Sequence, residues 1–386
     1  MLALDLPIET PRSAQEVCEI VAAGRPLEVV GGGTKRGIGA VAGAEAVLSL
    51  ARLDKVVDYQ PEELVLTAQP GVRLATLEEL VAAQGQMLAF EPPRLTRLLG
   101  ARGQPTLGGA LAAGLSGPRR IRAGAARDHL LGIAAVTGRG ELVKAGGKVV
   151  KNVTGYDLAK LMAGSWGTLA VLTEVTLKVL PAAKTQATLL LFGLSDERAS
   201  QVMQAAMNSP AEVSGAAHLA AAVAARAPLK ADLPVTALRL EGFEASVTAR
   251  ADALAGRLRE FGRSERLDAE HSAEFWGQVR EVEAFWKERR PVWRVSLPPA
   301  QGWRFPEGLQ GEALFDWAGG LVWFASDAPA AGLRARAREL GGHATLYRGE
   351  GPAFEPLIGP LASLSARVKA AFDPEGVLNP GRFAGA

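Results

Sequence analysis

The sequence contains a single cysteine, Cys18, and only four histidines among its 386 residues. One cysteine excludes an intramolecular disulfide, an all-cysteine zinc site and an iron–sulfur cluster held by this chain alone. His129, His218, His271 and His343 lie far apart in the sequence, so no cluster of metal ligands is visible. We therefore expect any difficult redox chemistry to depend on a bound organic cofactor.

A surplus of one charge and long apolar runs are also lacking. Lysine and arginine total 43 and aspartate and glutamate 41, a net charge of +2, which argues against a dedicated nucleic-acid binder. The longest run without a charged residue, 103–118, is too short and too rich in glycine and proline to cross a bilayer. Asp5 and Glu9 lie where a signal peptide needs an apolar core. We expect a cytoplasmic protein with no transmembrane segment and no nucleic-acid partner.

Glycine, in contrast, is abundant and unevenly placed. The chain has 44 glycines, and 15 of them fall within residues 100–171. Because glycine is costly to order, such a segment indicates tight turns or backbone lying against a ligand. The glycines alternate with apolar runs such as IAAVTG, which are typical of strands.

The order of predicted elements indicates an α+β protein with three parts. The first part, 1–181, divides into a small α/β subdomain at about 1–52 and a mixed-sheet subdomain at about 53–181. After Pro181, strands alternate with helices over 182–345, which predicts an α+β cap of ferredoxin-like type. The third part is the C-terminal segment 346–386. Its tail, 360–386, begins as a helix, ends in turns and must dock elsewhere to be ordered.

The first candidate site is the turn VVGGGTK at 29–35. Three glycines after a strand let successive backbone N–H groups converge on a phosphate or pyrophosphate, and Lys35 adds positive charge. No Gly-Lys-Ser/Thr sequence completes a P-loop, and the third glycine of the dinucleotide fingerprint is missing. An ordinary glycine turn is the alternative.

A second candidate is PTLGGALAAGLSGP at 105–118, whose small residues would let a flat ligand approach the backbone. A helix-packing segment is the alternative. Arg119, Arg120, Arg122 and Arg127 follow within one loop. Such a run is usually a solvated face, with a contact to an anion or an acidic partner as the alternative.

Four segments in a fixed order resemble the FAD-binding PCMH-type family and, within it, the FAD-binding subunits of bacterial glycolate oxidases. The segments are VVGGGTK (29–35), PTLGG (105–109), KNVTGYDLAKLMAGSWGTLAVLTEVTLKVLP (151–181) and FDPEGVLNPGR (372–382). The resemblance covers the chain from end to end. It implies a two-subdomain FAD-binding domain, a smaller cap and a tail that returns to the FAD-binding domain.

The resemblance also implies a set of cofactor-binding residues. Those that would hold the pyrophosphate are Gly31, Gly32, Gly33, Thr34 and Lys35. Along the flavin the resemblance places Thr106, Leu107, Gly108, Gly109 and Gly114, with Pro93 at the entrance of the groove. At the adenosine end it places Arg127, Asp128, Gly132 and Ile133. Thr168, Val171 and Thr173 would lie on a strand beside the cofactor, and Asn379 and Arg382 near the isoalloxazine. No histidine lies in the glycine turn, so we expect the FAD to be non-covalent.

The function implied by this resemblance is that of an FAD-dependent oxidoreductase subunit. The complex would oxidise glycolate, a 2-hydroxy acid, to glyoxylate, with a second flavoprotein subunit and an iron–sulfur subunit as partners. This chain alone would not be sufficient for the oxidation of glycolate. Any peripheral association with a membrane would come through those partners. The alternatives are a self-sufficient FAD-dependent 2-hydroxy-acid dehydrogenase, a flavin-free scaffold subunit and a flavin reductase fed by a nicotinamide cofactor.

The catalytic residues stay open, and no metal is expected. His343 and Arg348 are the only pair placed to supply a base for the hydroxyl and a cation for the carboxylate, and a packed surface histidine is the alternative. Residues 271–290 predict an amphipathic helix that carries Trp276 and Trp286. We interpret both tryptophans as core residues, with a subunit contact as the alternative.

Overall fold

A computed structural model describes residues 6–39, 41, 43–147, 156–227 and 229–383. The segment KNVTG at 151–155, part of the third motif, lies outside the described residues.

The chain begins with a small parallel sheet. Its elements are β1 (Ile8–Glu9), α1 (Ala14–Ala22), β2 (Leu27–Val30) and β3 (Ala46–Ser49). The strand order is β1-β3-β2, with parallel pairing throughout. The Ser13 hydroxyl accepts a hydrogen bond from the Glu16 N–H at 3.2 Å and caps α1. Because the strands are parallel, their carboxyl ends meet at one edge, where Gly31 begins the glycine turn.

A second sheet completes the first unit, which we define as β1 to β10. The further elements are β4 (Val56–Gln60), β5 (Val65–Ala68), α2 (Leu74–Ala82), β6 (Gln86–Met87), α3 (Leu107–Ala112), α4 (Arg120–Ala123), β7 (Leu130–Thr137), β8 (Leu142–Gly146), α5 (Leu158–Met162), β9 (Ala170–Lys178) and β10 (Leu180–Pro181). The main sheet has the order β4-β5-β9-β7-β8, and β6 pairs with β10. All of these pairs are antiparallel, so the mixed sheet predicted for 53–181 is wrong. The connections from β4 to β5 and from β7 to β8 are too short for the crossover that a parallel pair requires.

The cap unit, β11 to β18, is built on one eight-stranded sheet. Its elements are β11 (Thr185–Phe192), α6 (Asp196–Met207), β12 (Gly215–Leu219), α7 (Ala221–Ala224), β13 (Val235–Gly242), α8 (Glu244–Arg257), β14 (Ser264–Leu267), α9 (Ala269–Glu281), β15 (Val292–Ser296), β16 (Glu312–Asp316), β17 (Leu321–Ala325), α10 (Ala330–Glu339) and β18 (His343–Arg348). The order is β14-β11-β13-β12-β16-β17-β15-β18, and all neighbours are antiparallel. β18 crosses the boundary predicted at residue 345.

This sheet contains the ferredoxin-like arrangement twice. In the first half, β11-α6-β12-β13-α8-β14 gives the order β14-β11-β13-β12. In the second half, β15, β16, β17, α10 and β18 give the equivalent order, with the 3₁₀ segment Pro299–Arg304 in the place of the first helix. The halves join where β12 pairs with β16. The predicted α+β cap is therefore a fused pair of such units.

Helix α9 is shorter than the sequence predicts. It ends at Glu281, because Val282 has a left-handed φ of 54°. The Trp276 side chain is buried in the core and donates from Nε1 to the Thr188 hydroxyl at 2.8 Å, which confirms its structural role. Trp286 lies beyond the helix and is 40% exposed.

The tail returns to the first unit, as predicted. After α11 (Gly359–Phe372), the Leu27 N–H donates to the Val377 carbonyl at 2.7 Å and the Asn379 N–H donates to the Leu27 carbonyl at 2.9 Å. On α11, Leu361 is 65% and Leu364 is 49% exposed. Among the described helices, none combines the length and apolar character that a bilayer crossing requires.

A buried network of charges joins the cap unit to the first unit. The Arg239 guanidinium on β13 donates to both carboxylate oxygens of Glu91, at 2.9 and 3.0 Å. Arg119 donates to Glu241 of the cap unit at 2.9 and 2.8 Å. Because each cation is matched by a carboxylate from the other unit, the network fixes how the cap lies on the first unit.

Candidate functional site

A groove lies between the glycine turn and helix α3. Two adjoining cavities form it and share five lining residues: Val29, Gly31, Gly109, Ala112 and Trp166. The parallel sheet presents the glycine turn at its carboxyl edge, where ligands of such sheets bind. Thr106 caps α3 by accepting a hydrogen bond from the Gly109 N–H. The opposite wall is held in place because the Trp166 N–H donates to the Ala112 carbonyl at 2.8 Å.

Glycine is required where the two glycine-rich loops cross. A Cβ on Gly32 would lie 1.6 Å from the Gln104 carbonyl oxygen, and one on Gly31 would lie 2.4 Å from the Thr106 hydroxyl. Any side chain at position 32 would therefore displace the 103–106 backbone. A Gly32→Asp variant would disturb the fold of the groove as well as its charge.

The strongest electrostatic feature of the groove is Lys35. Its side chain is 9% exposed, and Nζ donates to the Thr34 hydroxyl at 3.3 Å. In the part of the chain that the structure describes, no carboxylate oxygen lies within ion-pair distance of Nζ. Burial lowers the pKa of Lys35 to about 8, although the charge of Glu281 acts in the opposite direction. A buried ammonium without an ion-pair partner is suited to an anionic ligand.

Arg382 brings a second buried cation from the tail. It is 5% exposed, and its Nη1 donates to the Ile38 carbonyl at 2.9 Å. Its Nε is buried without a hydrogen-bond partner, and Glu28 approaches its Nη2 only to 4.0 Å. Burial lowers the pKa of Arg382, while Glu28 raises it. Arg36 donates to both carboxylate oxygens of Glu28 in a bidentate pair, so Glu28 is already engaged and does not pair closely with Arg382.

Asn379 shapes the groove from behind. Its Oδ1 accepts from the Val29 N–H at 2.8 Å, and its Nδ2 donates to the Trp166 carbonyl at 2.8 Å. Because both ends of the amide are engaged with backbone, Asn379 holds β2, the tail and Trp166 together. Its left-handed φ of 44° is a conformation that asparagine tolerates better than most residues.

The structure places the predicted cofactor residues in three settings. Those that line the groove are Gly31, Gly32, Gly33, Thr34, Lys35, Thr106, Gly108, Gly109 and Arg382. Those engaged in the packing or the backbone around it are Leu107, Gly114, Thr168, Val171, Thr173 and Asn379. Those found elsewhere in the first unit are Pro93, Arg127, Asp128, Gly132 and Ile133. Contact of all three sets with a cofactor stays a prediction.

Sequence reasoning missed Trp166 as a groove residue and mispaired the catalytic candidates. Trp166 lines both cavities in a left-handed conformation with φ of 54°. In the sequence, only the position of Trp166 between Gly164 and Gly167, shortly after a predicted helix, could have indicated this role. Arg348 donates to four backbone carbonyls, including Leu98 and Glu288, whereas His343 is exposed at the other end of β18. These two side chains do not form a joint site.

Similarity to known proteins shows the family of the chain. Residues 7–146 match the FAD binding domain family. Over 329 residues the chain is 37% identical to glycolate oxidase subunit GlcE of Escherichia coli K12, covering 85% of this chain and 84% of that protein. The chain belongs to this family of FAD-binding glycolate oxidase subunits.

Two further comparisons define how far the likeness extends. The chain is 32% identical to glycolate oxidase subunit GlcD of Bacillus subtilis over 157 residues, 41% of this chain and 32% of GlcD. It thus spans only about a third of the length of that relative. Its fold superposes on p-cresol methylhydroxylase with a TM-score of 0.73 and 16% identity, covering 97% of this chain and 88% of the other. The fold is therefore PCMH-type, and the cofactor is FAD.

The groove residues fit this cofactor. The glycine turn and the buried Lys35 line the groove together, and Arg382 has a buried Nε without a hydrogen-bond partner among the described residues. The diphosphate and other polar groups of FAD would suit both features. Among the described residues, no group of three acidic, histidine or cysteine side chains is arranged to hold a metal ion.

Proposed function

We propose that this chain is the FAD-binding subunit of a glycolate oxidase complex and takes part in the oxidation of glycolate to glyoxylate. The observation that carries the proposal is the groove, where Lys35 and Arg382 meet a glycine turn, in a chain that aligns with most of a glycolate oxidase subunit. FAD, when bound, supplies an acceptor for the two electrons removed from the alcohol carbon.

The residues of the groove have separate tasks in this proposal. The glycine turn and Lys35 bind the diphosphate, and Thr106 orients the start of α3 toward it. Asn379 fixes the relative position of the turn, Trp166 and the tail. The cap unit excludes water from the open side of the groove. The groove lining contains no histidine or cysteine, which supports non-covalent binding.

The proposed partners are a second flavoprotein subunit and an iron–sulfur subunit. Cys18, the single cysteine, lies on α1 in the first unit, so this chain offers no set of cysteines for a cluster. In this proposal, electrons that leave the flavin pass to the iron–sulfur subunit. The subunit designation of the relatives supports this arrangement.

An absorption spectrum of the purified chain, before and after anaerobic addition of glycolate, tests the proposal. We expect oxidised-flavin bands that persist with glycolate until the partner subunits are added. Bands that bleach with this chain alone would assign it a complete dehydrogenase activity of its own. A folded chain without flavin bands after incubation with FAD would contradict the proposal.

A further inference from the structure

An indole outside the groove is held in an unusual conformation. Trp317 lies in the turn between β16 and β17, and both Trp317 and Ala318 have left-handed φ values, 54° and 57°. Such values are uncommon for a bulky side chain and concentrate at functional sites. The Asp316 carboxylate accepts from the Trp317 N–H at 2.7 Å, and Trp317 Nε1 donates to the Gly117 carbonyl of the first unit at 2.9 Å. The ring is therefore fixed at the boundary of the two units.

Two arginines from different units lie against this ring. The guanidinium carbon of Arg120, from the first unit, lies 4.2 Å from the ring centroid, and that of Arg294, from β15 of the cap unit, lies 5.1 Å away. Within the described ranges, neither guanidinium has a carboxylate oxygen within ion-pair distance or a hydrogen-bond acceptor. The adjacent Arg119, in contrast, is fully paired with Glu241 and Glu91.

The charges around these arginines leave the site positive. Burial lowers the pKa of Arg120, Arg294 and Arg127 lower it further, and Asp128 raises it. The positive charge of Arg294 acts to lower the pKa values of three neighbours, Asp316, His343 and Tyr347. Two cations that are partly removed from water repel each other, and a bound anion would relieve that repulsion.

The site adjoins the FAD groove. One apolar cluster contains Trp317, Trp323 and Tyr347 of the cap unit together with Trp166 and Ala113, which line the groove. Arg120 begins α4, shortly after α3 ends beside the same groove. A ligand held by the two arginines would therefore lie between the groove and the sheet of the cap unit.

We propose that Arg120 and Arg294 form a carboxylate-binding site against Trp317, which takes a small 2-hydroxy or 2-oxo acid. Guanidinium groups match the geometry of a carboxylate, and the indole supplies a dry, flat wall beside it. The choice of acid rests on the proposed function, whereas the binding of a carboxylate rests on the two arginines. Because each unit contributes one arginine, the site is complete only when the cap is docked.

Calorimetric titration of the full chain with oxalate tests this site. We expect Arg120→Gln and Arg294→Gln each to weaken oxalate binding by about tenfold or more, and the lysine variants at both positions to lose less. Arg198→Gln is the matched control, because the Arg198 guanidinium likewise lies over an aromatic ring, 4.6 Å from that of Phe261, and donates to Gln201 on the same helix. Its oxalate affinity should equal that of the wild type.

The outcomes separate this site from the proposed function. Absence of oxalate binding to the wild type overturns the site, as does equal binding by the arginine variants and Arg198→Gln. Thermal unfolding of each variant shows whether a lost affinity reflects lost structure, and the lysine variants keep the comparison valid if a glutamine variant fails to fold. The flavin absorbance of the same samples reports FAD binding independently, so a colourless chain that binds oxalate contradicts only the proposed function.

Discussion

Lys35 is the residue whose setting says most about the groove. A buried ammonium that lacks an ion pair is unfavourable in the free protein, so its retention is explained by a ligand that compensates it. A neutral side chain of similar length at position 35 would remove the positive charge that attracts an anionic ligand and would leave the packing intact.

We therefore expect Lys35→Met to weaken FAD binding by about 10- to 150-fold, the range of a hydrogen bond to a charged group. Quenching of FAD fluorescence on titration with the apoprotein measures this affinity. Lys55→Gln, at an exposed lysine, is the control and should bind FAD as the wild type does. Unchanged affinity in Lys35→Met would remove Lys35 from the site.

The affinity for FAD should also depend on pH in a direction that Lys35 determines. Its pKa of about 8 means that the ammonium is charged below pH 8 and neutral above it. Because the diphosphate binds the charged form, wild-type affinity should be constant below pH 8 and fall as the pH rises further. The Lys35→Met variant should show a flatter profile over the same range.

For single residues, the sequence predicts which side chains line the groove better than it predicts which groups those side chains contact. Lys35 follows three glycines, a local pattern, and lines the groove as expected. Asn379 was expected beside the flavin, but its amide binds the backbone of Val29 and Trp166. Those partners lie hundreds of residues away in sequence, so no local pattern could reveal that the amide was already engaged.

Among the elements, α11 shows how much of a helix can stay outside the core. Leu361 and Leu364 are largely exposed, and no residue of α11 is fully buried. The last turns of the helix are held by Val368 and Phe372, which pack against the core of the first unit, and by Lys369, which pairs with Asp373 and donates to the carbonyls of Thr168 and Leu378.

A double substitution, Leu361→Glu with Leu364→Glu, should therefore leave the melting temperature and the FAD content of the isolated chain nearly unchanged. Exposed substitutions of this kind change stability by about 0.5 kcal/mol or less. Differential scanning calorimetry measures the effect. The control is Leu333→Glu on α10, a fully buried leucine, which should unfold the cap unit. A large loss of stability in the double variant would contradict the exposure of this face.

Elements whose ends are set locally are the ones that the sequence predicts well. Ser13 caps α1 and Asp157 caps α5, and each helix begins at the residue that follows its cap. Helix α9 is the exception, since its apolar periodicity continues beyond Glu281. There the left-handed conformation of Val282 ends the helix, and the Glu281 carboxylate accepts from the Leu95 N–H of the first unit at 2.8 Å.

Over the whole molecule, the buried charges between the units are the feature with the largest expected effect on stability. Burial raises the pKa of Glu91, but Arg239 and Arg119 more than offset this and hold it below its ordinary value. The same balance lowers the pKa of Glu241 to about 2. Since Arg239 is fully buried, loss of the Glu91 carboxylate would leave its charge paired, among the described residues, only with Glu241, 3.6 Å from Nε.

We expect Glu91→Gln to lower the free energy of unfolding by about 3–5 kcal/mol. Urea unfolding at pH 7 measures this loss. Glu9→Gln is the control, because it breaks a pair with Arg25 that is partly open to solvent and should cost about 1 kcal/mol or less. A loss of similar size in both variants would contradict a stabilising role for the buried network.

The pH dependence of this stabilisation follows from the lowered pKa values. A carboxylate whose pKa is lower in the folded protein stabilises the fold above its ordinary pKa of 4.5. That contribution is lost as the pH falls from 4.5 toward 2. Urea midpoints of the wild type should therefore decrease over this interval more than those of Glu91→Gln.

The three-part organisation could be predicted because motifs mark the first unit and the tail, whereas the sheet topology could not. The cap repeats one arrangement twice, yet its halves share an order of strands and not a sequence pattern that could be recognised. In the first unit, predicted strands near 130–137 and 141–144 correspond to β7 and β8. Their antiparallel pairing depends on turn length and on β9, which lies between β5 and β7.

The late position of the tail determines when the groove can be completed during synthesis. Arg382 donates to the Ile38 carbonyl across 344 positions of sequence, and the entire cap unit lies between them. At translation rates of about 5–20 residues per second, the ribosome needs about 20–70 s to make that interval. During that time the glycine turn has left the ribosome, but Arg382 and the tail that completes the groove have not yet been made. Stable FAD loading must therefore follow synthesis of the cap, and a nascent chain arrested before residue 377 should not retain the cofactor.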